Sequence, residues 1–456
     1  MREFDVVVIG SGTAGQTAAY DLQEKGLKVA VVEKSDRPGG TCALAGCQPK
    51  KWFYEVTETV AKSKHLTRKG VASAVKGVWS TIQKQKSSFT SGVPAGTMKG
   101  LKKAGIAYVK GNAAFLDSDT LAVDGKPLKA GHILLASGAR PMTLPIKGSE
   151  HLITSTDFLE LKRLPRRIVF IGGGFIAFEF AHFAARLGLP KVRIDILEVA
   201  ERPLGPFDPE MAGLLVAASE AEGIRIHTGI RITSIHKKAG AYTVRTESGR
   251  TFKSDLVVHG AGRIPDIEAL ELEAGKVDYS KKGIAVDAEM KTSNPRVYAI
   301  GDCAATVQLA RVADYEAHVA AKNILAERGL AESARIDYQA VPTVLFTYPQ
   351  YGMVGKTETA LRQEGIRYRR SFEKNLGWPT YKRIGLKHAA YKILVDEDNR
   401  ILGAHFLSDY AGGLVHTIRL AMVNSISADE LYRQCIMSPY PTRESDLIYM
   451  LEPFLS

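Results

Sequence analysis

The chain has 456 residues, 45% of them hydrophobic and 24% charged, with only four cysteines. That excludes a disordered or collagen-like chain and a small disulfide scaffold, and the length suits about three ordinary domains. Apolar stretches break at charges before the roughly 20 residues that a membrane span needs, and MREFDVVVIG lacks a signal-peptide cleavage pattern, so a cytoplasmic protein is expected. The net charge of +12 is uneven: no acid lies between Glu58 and Asp117, where Lys62, Lys84, Lys86, Lys99, Lys102, Lys103 and other bases cluster. A basic face of this kind reads first as a solvated surface, and no aromatic-interleaved nucleic-acid module accompanies it.

In chain order, FDVVVIG is the continuous apolar run of a buried parallel strand. Gly10-Ser11-Gly12-Thr13-Ala14-Gly15 then opens a helical pattern, and KVAVVE reads as a second strand ending at Glu33. A lone GxGxxG is often just a turn, but strand, helix and terminal acid together make a dinucleotide fingerprint. Gly10 serves the turn, Gly12 the approach of a pyrophosphate, Gly15 helix packing, and Glu33 the ribose hydroxyls.

The stretch Gly39-Gly40-Thr41-Cys42-Ala43-Leu44-Ala45-Gly46-Cys47-Gln48-Pro49-Lys50-Lys51 follows. Two cysteines five apart could be half of a metal site, but Cys303 and Cys435 are isolated and no second pair completes it, so no metal is expected. A helix beginning near Pro49, with Lys50 and Lys51, would instead favour a thiolate at Cys47 suited to thiol-disulfide exchange. Near the middle, RIVFIGGGFIAFEFAHFAARLG followed by KVRIDILE repeats the fingerprint with Gly172, Gly174, Ala177 and terminal Glu198. The bland reading is a duplicated domain that has lost one ligand. The stronger reading is electron traffic between two cofactors, a flavin and a nicotinamide.

With these residues in place the sequence closely resembles the flavoprotein disulfide reductases, the group of dihydrolipoamide dehydrogenase, glutathione reductase and mercuric reductase. The resemblance runs through GGTC-x4-C-x-P-x-K, Ile133-Leu134-Leu135-Ala136-Ser137-Gly138, Gly260-Ala261-Gly262-Arg263-Ile264-Pro265 and Val297-Tyr298-Ala299-Ile300-Gly301-Asp302. It implies an α/β fold of two Rossmann-like dinucleotide-binding domains plus a C-terminal α+β dimerisation domain. The expected boundaries are 1–149 with 275–334 for FAD, 150–274 for NAD(P) and 335–456 for the interface. It also implies a homodimer, and flavin contacts from Gly40, Thr41, Ser137, Gly138, Gly262, Gly301 and Asp302, the last to the ribityl chain. Cys42 matches the interchange thiol and Cys47 the thiol beside the isoalloxazine. Lys51 and Glu179 match the ion pair beside flavin N5. Without the resemblance, Lys51 and Glu179 would read as ordinary polar helix positions.

The C-terminal segment departs from the pattern. Relatives carry His-Pro-Thr followed by Glu, whereas here Ser438-Pro439-Tyr440-Pro441-Thr442-Arg443-Glu444-Ser445 puts Tyr440 at the histidine position and Ser445 at the glutamate position. A phenol titrating near 10 is a poor base at neutral pH, unlike an imidazole near 6.5. Three readings stay open: Tyr440 serves a different substrate, Glu444 is the base, or the acceptor needs no thiol protonation, as a metal ion, quinone or small oxidant would not. The ending LEPFLS lacks a cysteine pair, which argues against mercuric reductase and the larger thioredoxin reductases. The full pair at Cys42 and Cys47 argues against a thiol-independent transhydrogenase.

The expected function is therefore a FAD-dependent NAD(P)H oxidoreductase with a redox-active Cys42–Cys47 disulfide and a small-molecule or small-protein acceptor. Glu198 favours NADH, while Ala177 and nearby Arg202 keep NADPH as the second choice. An alternative is a low-turnover flavin carrier docking an acidic assembly through its basic 59–116 segment.

Overall fold

A computed structural model describes residues 2–188 and 191–455. Contacts divide the chain into two units. Met1–Trp52, Gln83–Thr143 and Gly262–Asp337 form the first, and Phe53–Ile82, Leu144–Ala261 and Tyr338–Ser456 the second. The segments expected to bind the nicotinamide and to form the interface both fall mainly in the second unit.

The first unit is organised on the strand Arg2–Ile9, which pairs in parallel with Val29–Glu33 on one side and Lys126–Leu135 on the other. Among the described residues its sheet has seven strands, four of them, Ala107–Lys110, Val297–Ala299, Thr120–Val123 and Ala113–Phe115, lying outside these three. Side chains alternate across a strand. Val6 and Val8 therefore pack with Ala14, Leu22 and Ala317 of the helices Thr13–Glu24 and Ala310–Ala326. Val7 and Ile9 pack on the opposite face with Ile133, Leu135 and Phe115. Burial of both faces is why this strand is an unbroken apolar run rather than an alternating one. Ile9, Leu135 and Ala299 come level where these parallel strands end, and Gly10, Ala136 and Gly301 follow them closely, the edge where α/β sheets bind ligands.

The second unit holds a four-stranded parallel sheet in the order Ile224–His227, Arg193–Leu197, Arg167–Ile171, Leu256–His259, counted among the described residues. Ile168, Phe170 and Ile196 pack with Phe178, Phe180 and Phe183 of the helix Phe175–Leu187, while Val169, Ile171 and Leu197 pack with Ile235, Val244 and Phe252. Tyr338–Ser456 adds an antiparallel sheet whose centre is the strands Ile401–Ser408 and Ala390–Val395. Every residue of Ala390–Val395 is buried. One face packs against Leu414 and Ile418, and the other carries Lys392 and His405 into a covered ionic cluster. Lys392 Nζ meets Asp208 at 2.9 Å, Glu210 at 2.8 Å and Glu358 at 2.9 Å, so its charge is buried but matched.

The basic segment forms the helices Cys47–Leu66 and Trp79–Lys103. Lys84, Lys99, Lys102 and Lys103 are exposed, as a solvated face requires, but Lys86 is buried. Among the described residues, no helix is long and apolar enough to cross a membrane.

Candidate functional site

In the first unit the strand ends are lined by glycine where backbones nearly touch. A Cβ on Gly40 would lie 2.4 Å from Gly12 Cα, and one on Gly15 would lie 2.1 Å from the Gly10 carbonyl oxygen. Side chains cannot occupy either position, which leaves the helix Thr13–Glu24 opening against bare backbone, the form a pyrophosphate needs. Glu33 stands beside it. One carboxylate oxygen accepts the Ser11 N–H at 2.9 Å and the Ser11 hydroxyl at 2.6 Å, and the other accepts the Ser35 N–H at 2.7 Å. About four lone-pair sites exist on a carboxylate, so acceptor capacity remains for a sugar hydroxyl. Ser11, whose hydroxyl also accepts the Gly39 N–H at 3.1 Å, was not singled out from sequence. Its position between two glycines was the available signal.

Asp302 lies in the turn Gly301–Cys303 after the strand Val297–Ala299. Burial pushes its carboxyl pKa up, against the opposing charge of Arg263. Its half-buried carboxylate accepts no hydrogen bond among the described residues, leaving acceptor capacity that fits the hydroxyls of a ribityl chain. Gly138, Gly262 and Gly301 sit in turns of positive φ in the same unit, and Ser137 follows the strand Lys126–Leu135.

Cys42 lies on the short helix Gly40–Leu44, Thr41 beside it, and Cys47 is the first residue of Cys47–Leu66. Both are half-buried free thiols here. The neighbouring Cys47 sulfur, together with burial, lifts the Cys42 thiol pKa far above the ordinary range. The same interaction pulls Cys47 down to about 6; burial opposes this, while the charges of Lys50 and then Lys51 assist. The pair is thus polarised at neutral pH, thiolate on Cys47 and proton on Cys42.

In the second unit a Cβ on Gly172 would come within 2.5 Å of Ala261 Cα, and Gly174 caps the helix Phe175–Leu187. Ala177 is buried against Gly260, where a Cβ would meet its methyl at 3.0 Å. Glu198 repeats the arrangement of Glu33, accepting the Gly173 N–H at 2.5 Å and the Ala200 N–H at 2.8 Å. Arg202 spends its guanidinium on its own loop, donating to the carbonyls of Leu204 at 3.2 Å, Phe207 at 3.3 Å and Gly205 at 2.6 Å.

Glu179 is buried on the same helix and accepts the Phe346 N–H at 2.9 Å. Tyr440 is 76% exposed and makes no hydrogen bond among the described residues. Ser445, at the glutamate position of the resemblance, is consumed locally: its hydroxyl accepts the Thr442 N–H at 3.0 Å and donates to the Thr442 carbonyl at 2.8 Å. Glu444 is half-buried. Among the described residues no hydrogen bond joins Tyr440, Glu444 and Ser445 into an acid/base pair.

Comparison with known proteins places these features. Residues 4–317 match the model described as pyridine nucleotide-disulphide oxidoreductase, and residues 341–446 match that family's dimerisation domain. The chain is 34% identical over 369 residues to dihydrolipoyl dehydrogenase of Bacillus subtilis, covering 78% of each chain. It is 30% identical to mercuric reductase of Staphylococcus aureus, covering 98% of this chain and 81% of that one. Glutathione reductase of Schizosaccharomyces pombe is 28% identical, with 99% of both chains covered. Among solved structures, the Cu(II) complex of the HOCl-induced flavoprotein disulfide reductase RclA from Escherichia coli superposes with a TM-score of 0.88 over 100% of both chains. At 23% identity that likeness speaks to fold alone.

Proposed function

Because the chain belongs to the pyridine nucleotide-disulphide oxidoreductase family, whose members are flavin-dependent enzymes, we propose that it is an NADH-driven reductase. It would work as a homodimer through the Cys42 and Cys47 pair and deliver electrons to an acceptor that needs no general base. When bound, FAD supplies the means of taking two electrons from a nicotinamide and passing them to a thiol pair. Gly10, Gly12, Gly15, Gly40, Glu33 and Asp302 would hold it, with Thr41, Ser137, Gly138, Gly262 and Gly301 lining the turns. Gly172, Gly174, Ala177 and Glu198 would hold the nicotinamide nucleotide. Lys51 and Glu179 carry the roles that the family resemblance gives them.

The observation that carries the reading is the opposite polarisation of the two thiols. Two-electron reduction of a Cys42–Cys47 bond leaves the proton on Cys42 and the negative charge on Cys47. Attack by Cys42 on a disulfide substrate then requires a group to remove that proton. Position 440 carries a phenol in place of an imidazole, and Ser445 is tied into its own turn, which supports a metal ion, quinone or small oxidant as acceptor. Glu198 supports NADH, as does Arg202, whose guanidinium donates to the carbonyls of its own loop rather than standing open to a 2′-phosphate.

Steady-state NADH consumption with lipoamide, glutathione disulfide, a quinone and Cu(II) tests it. Turnover should be highest with a non-thiol acceptor and should collapse in Cys42→Ser. Glutathione disulfide or lipoamide emerging as the best acceptor, or full turnover in Cys42→Ser, would refute the proposal.

A further inference from the structure

One face of the helix Phe175–Leu187 carries three polar side chains at successive turns, Glu179, His182 and Arg186, all buried. Their spacing of three and four residues aligns them. All three bond to one short bent segment between the strands Thr343–Leu345 and Gln350–Gly355. Glu179 accepts the Phe346 N–H at 2.9 Å, His182 Nδ1 accepts the Tyr348 N–H at 3.3 Å, and Arg186 Nη2 donates to the Tyr348 carbonyl at 2.8 Å. The imidazole is itself fixed. Ser219 gives its proton to the Leu215 carbonyl at 2.7 Å, so at 2.9 Å it can only accept from His182 Nε2, which leaves Nδ1 as the acceptor. Arg186 Nη1 donates to that same Nδ1 at 2.6 Å, and Glu222 supplies a countercharge 3.6 Å from Nη2.

Burying a histidine and an arginine is costly where apolar residues would fill the helix face. We infer that His182 and Arg186 are positioning residues for Glu179: by gripping Tyr348 on both sides they fix the backbone at Phe346, whose N–H holds the Glu179 carboxylate in one orientation. The inference rests on the role proposed above for Glu179 beside the flavin. Polar side chains here are then the means by which residues far from the chemistry set the placement of one carboxylate.

The test combines amide hydrogen exchange with a double-mutant cycle in the flavin-loaded protein. His182→Gln should speed exchange of the Phe346 amide as well as that of Tyr348, and should slow flavin reduction by NADH roughly five-fold. Glu179→Gln should slow it further. Since His182 acts through Glu179, the double variant should be no slower than Glu179→Gln alone. Ser219→Ala, which removes one hydroxyl and leaves the packing, should give the same pattern more weakly, and it carries the test if His182→Gln does not retain flavin. Unchanged protection at Phe346, or slowing that multiplies across the cycle, would overturn the positioning role. Flavin reduction undiminished in Glu179→Gln would instead remove Glu179 from the site, and the inference with it.

Discussion

Cys42 and Cys47 act on one another so that the two members of the pair ionise in opposite senses, Cys42 pushed up and Cys47 pulled down. Cys47 should be thiolate above about pH 6 and thiol below it. Thiolate absorbance of the reduced protein should therefore rise through pH 6, well under the ordinary thiol range. Cys42→Ala removes the largest stabilising contact and should move the midpoint up, whereas Cys42→Ser keeps a hydroxyl donor and should leave it low. In the flavin-loaded protein the reduced wild type should show a long-wavelength absorbance band that Cys47→Ser abolishes without loss of bound flavin. An alkaline midpoint in the wild type would contradict the polarised pair.

Lys392 should be the costliest single charge to remove in the second unit. Lys392→Met leaves Asp208, Glu210 and Glu358 facing one another without their buried cation, with Arg370 still 3.5 Å from Glu210 and from Glu358. Breaking a buried ion cluster in this way costs on the order of 3–5 kcal/mol, measurable by chemical denaturation. The pH dependence has a definite sign. Burial pushes the Glu358 carboxyl up, but the Lys392 ammonium and the Tyr368 hydroxyl bring it down to about 2. A carboxyl pKa depressed on folding contributes stability fully present above its unfolded range and lost as pH falls through about 2. Lys392→Met should shrink that part of the acid transition, leaving what the Tyr368 hydroxyl and Arg370 contribute.

That lysine also marks the limit of what sequence alone conveys. Val6 to Val8 were legible as a buried parallel strand because both faces of the sheet are covered and the pattern is purely local. The glycines at 10, 12 and 15 were legible because a close backbone approach leaves no other residue type. Lys392 reads as the solvent side of an alternating strand, and only partners 184 and 34 residues away make it interior. His182 and Arg186 stood in plain view at helical spacing from Glu179, but their use depends on a Tyr348 backbone distant in sequence. The departure at Tyr440 was visible from motif spacing, yet nothing local revealed that the Ser445 hydroxyl closes its own turn with Thr442.

Nicotinamide preference should follow Glu198. With two of its lone-pair sites on backbone N–H groups, the carboxylate retains acceptors for both ribose hydroxyls and repels a phosphate. NADH should exceed NADPH in kcat/KM by about tenfold or more, the equivalent of one lost charge-assisted contact. Glu198→Ala should narrow that ratio mainly by raising KM for NADH. Arg202→Ala should not weaken NADPH use, because its guanidinium is bound to the carbonyls of Leu204, Gly205 and Phe207. A wild-type preference for NADPH would show that the loop rearranges on binding.

Lipoamide should be a poor substrate even though reduction by NADH is fast. A placed general base contributes on the order of 10² to 10⁴ in rate, and the Cys42 proton, held by the raised pKa of that thiol beside Cys47, is the one that such a base would have to move. Stopped-flow flavin reduction by NADH should accordingly outrun steady-state lipoamide turnover by a factor in that range. Tyr440→His alone should raise lipoamide turnover, because it introduces an imidazole at an exposed position without disturbing packing. Adding Ser445→Glu should help less than the family pattern suggests: Ser445 is only 5% exposed, and its hydroxyl makes two hydrogen bonds to the Thr442 backbone that the larger carboxylate must displace. Wild-type lipoamide turnover matching the rate of flavin reduction would mean that another group takes the Cys42 proton, and Glu444→Gln would then be the variant to measure next.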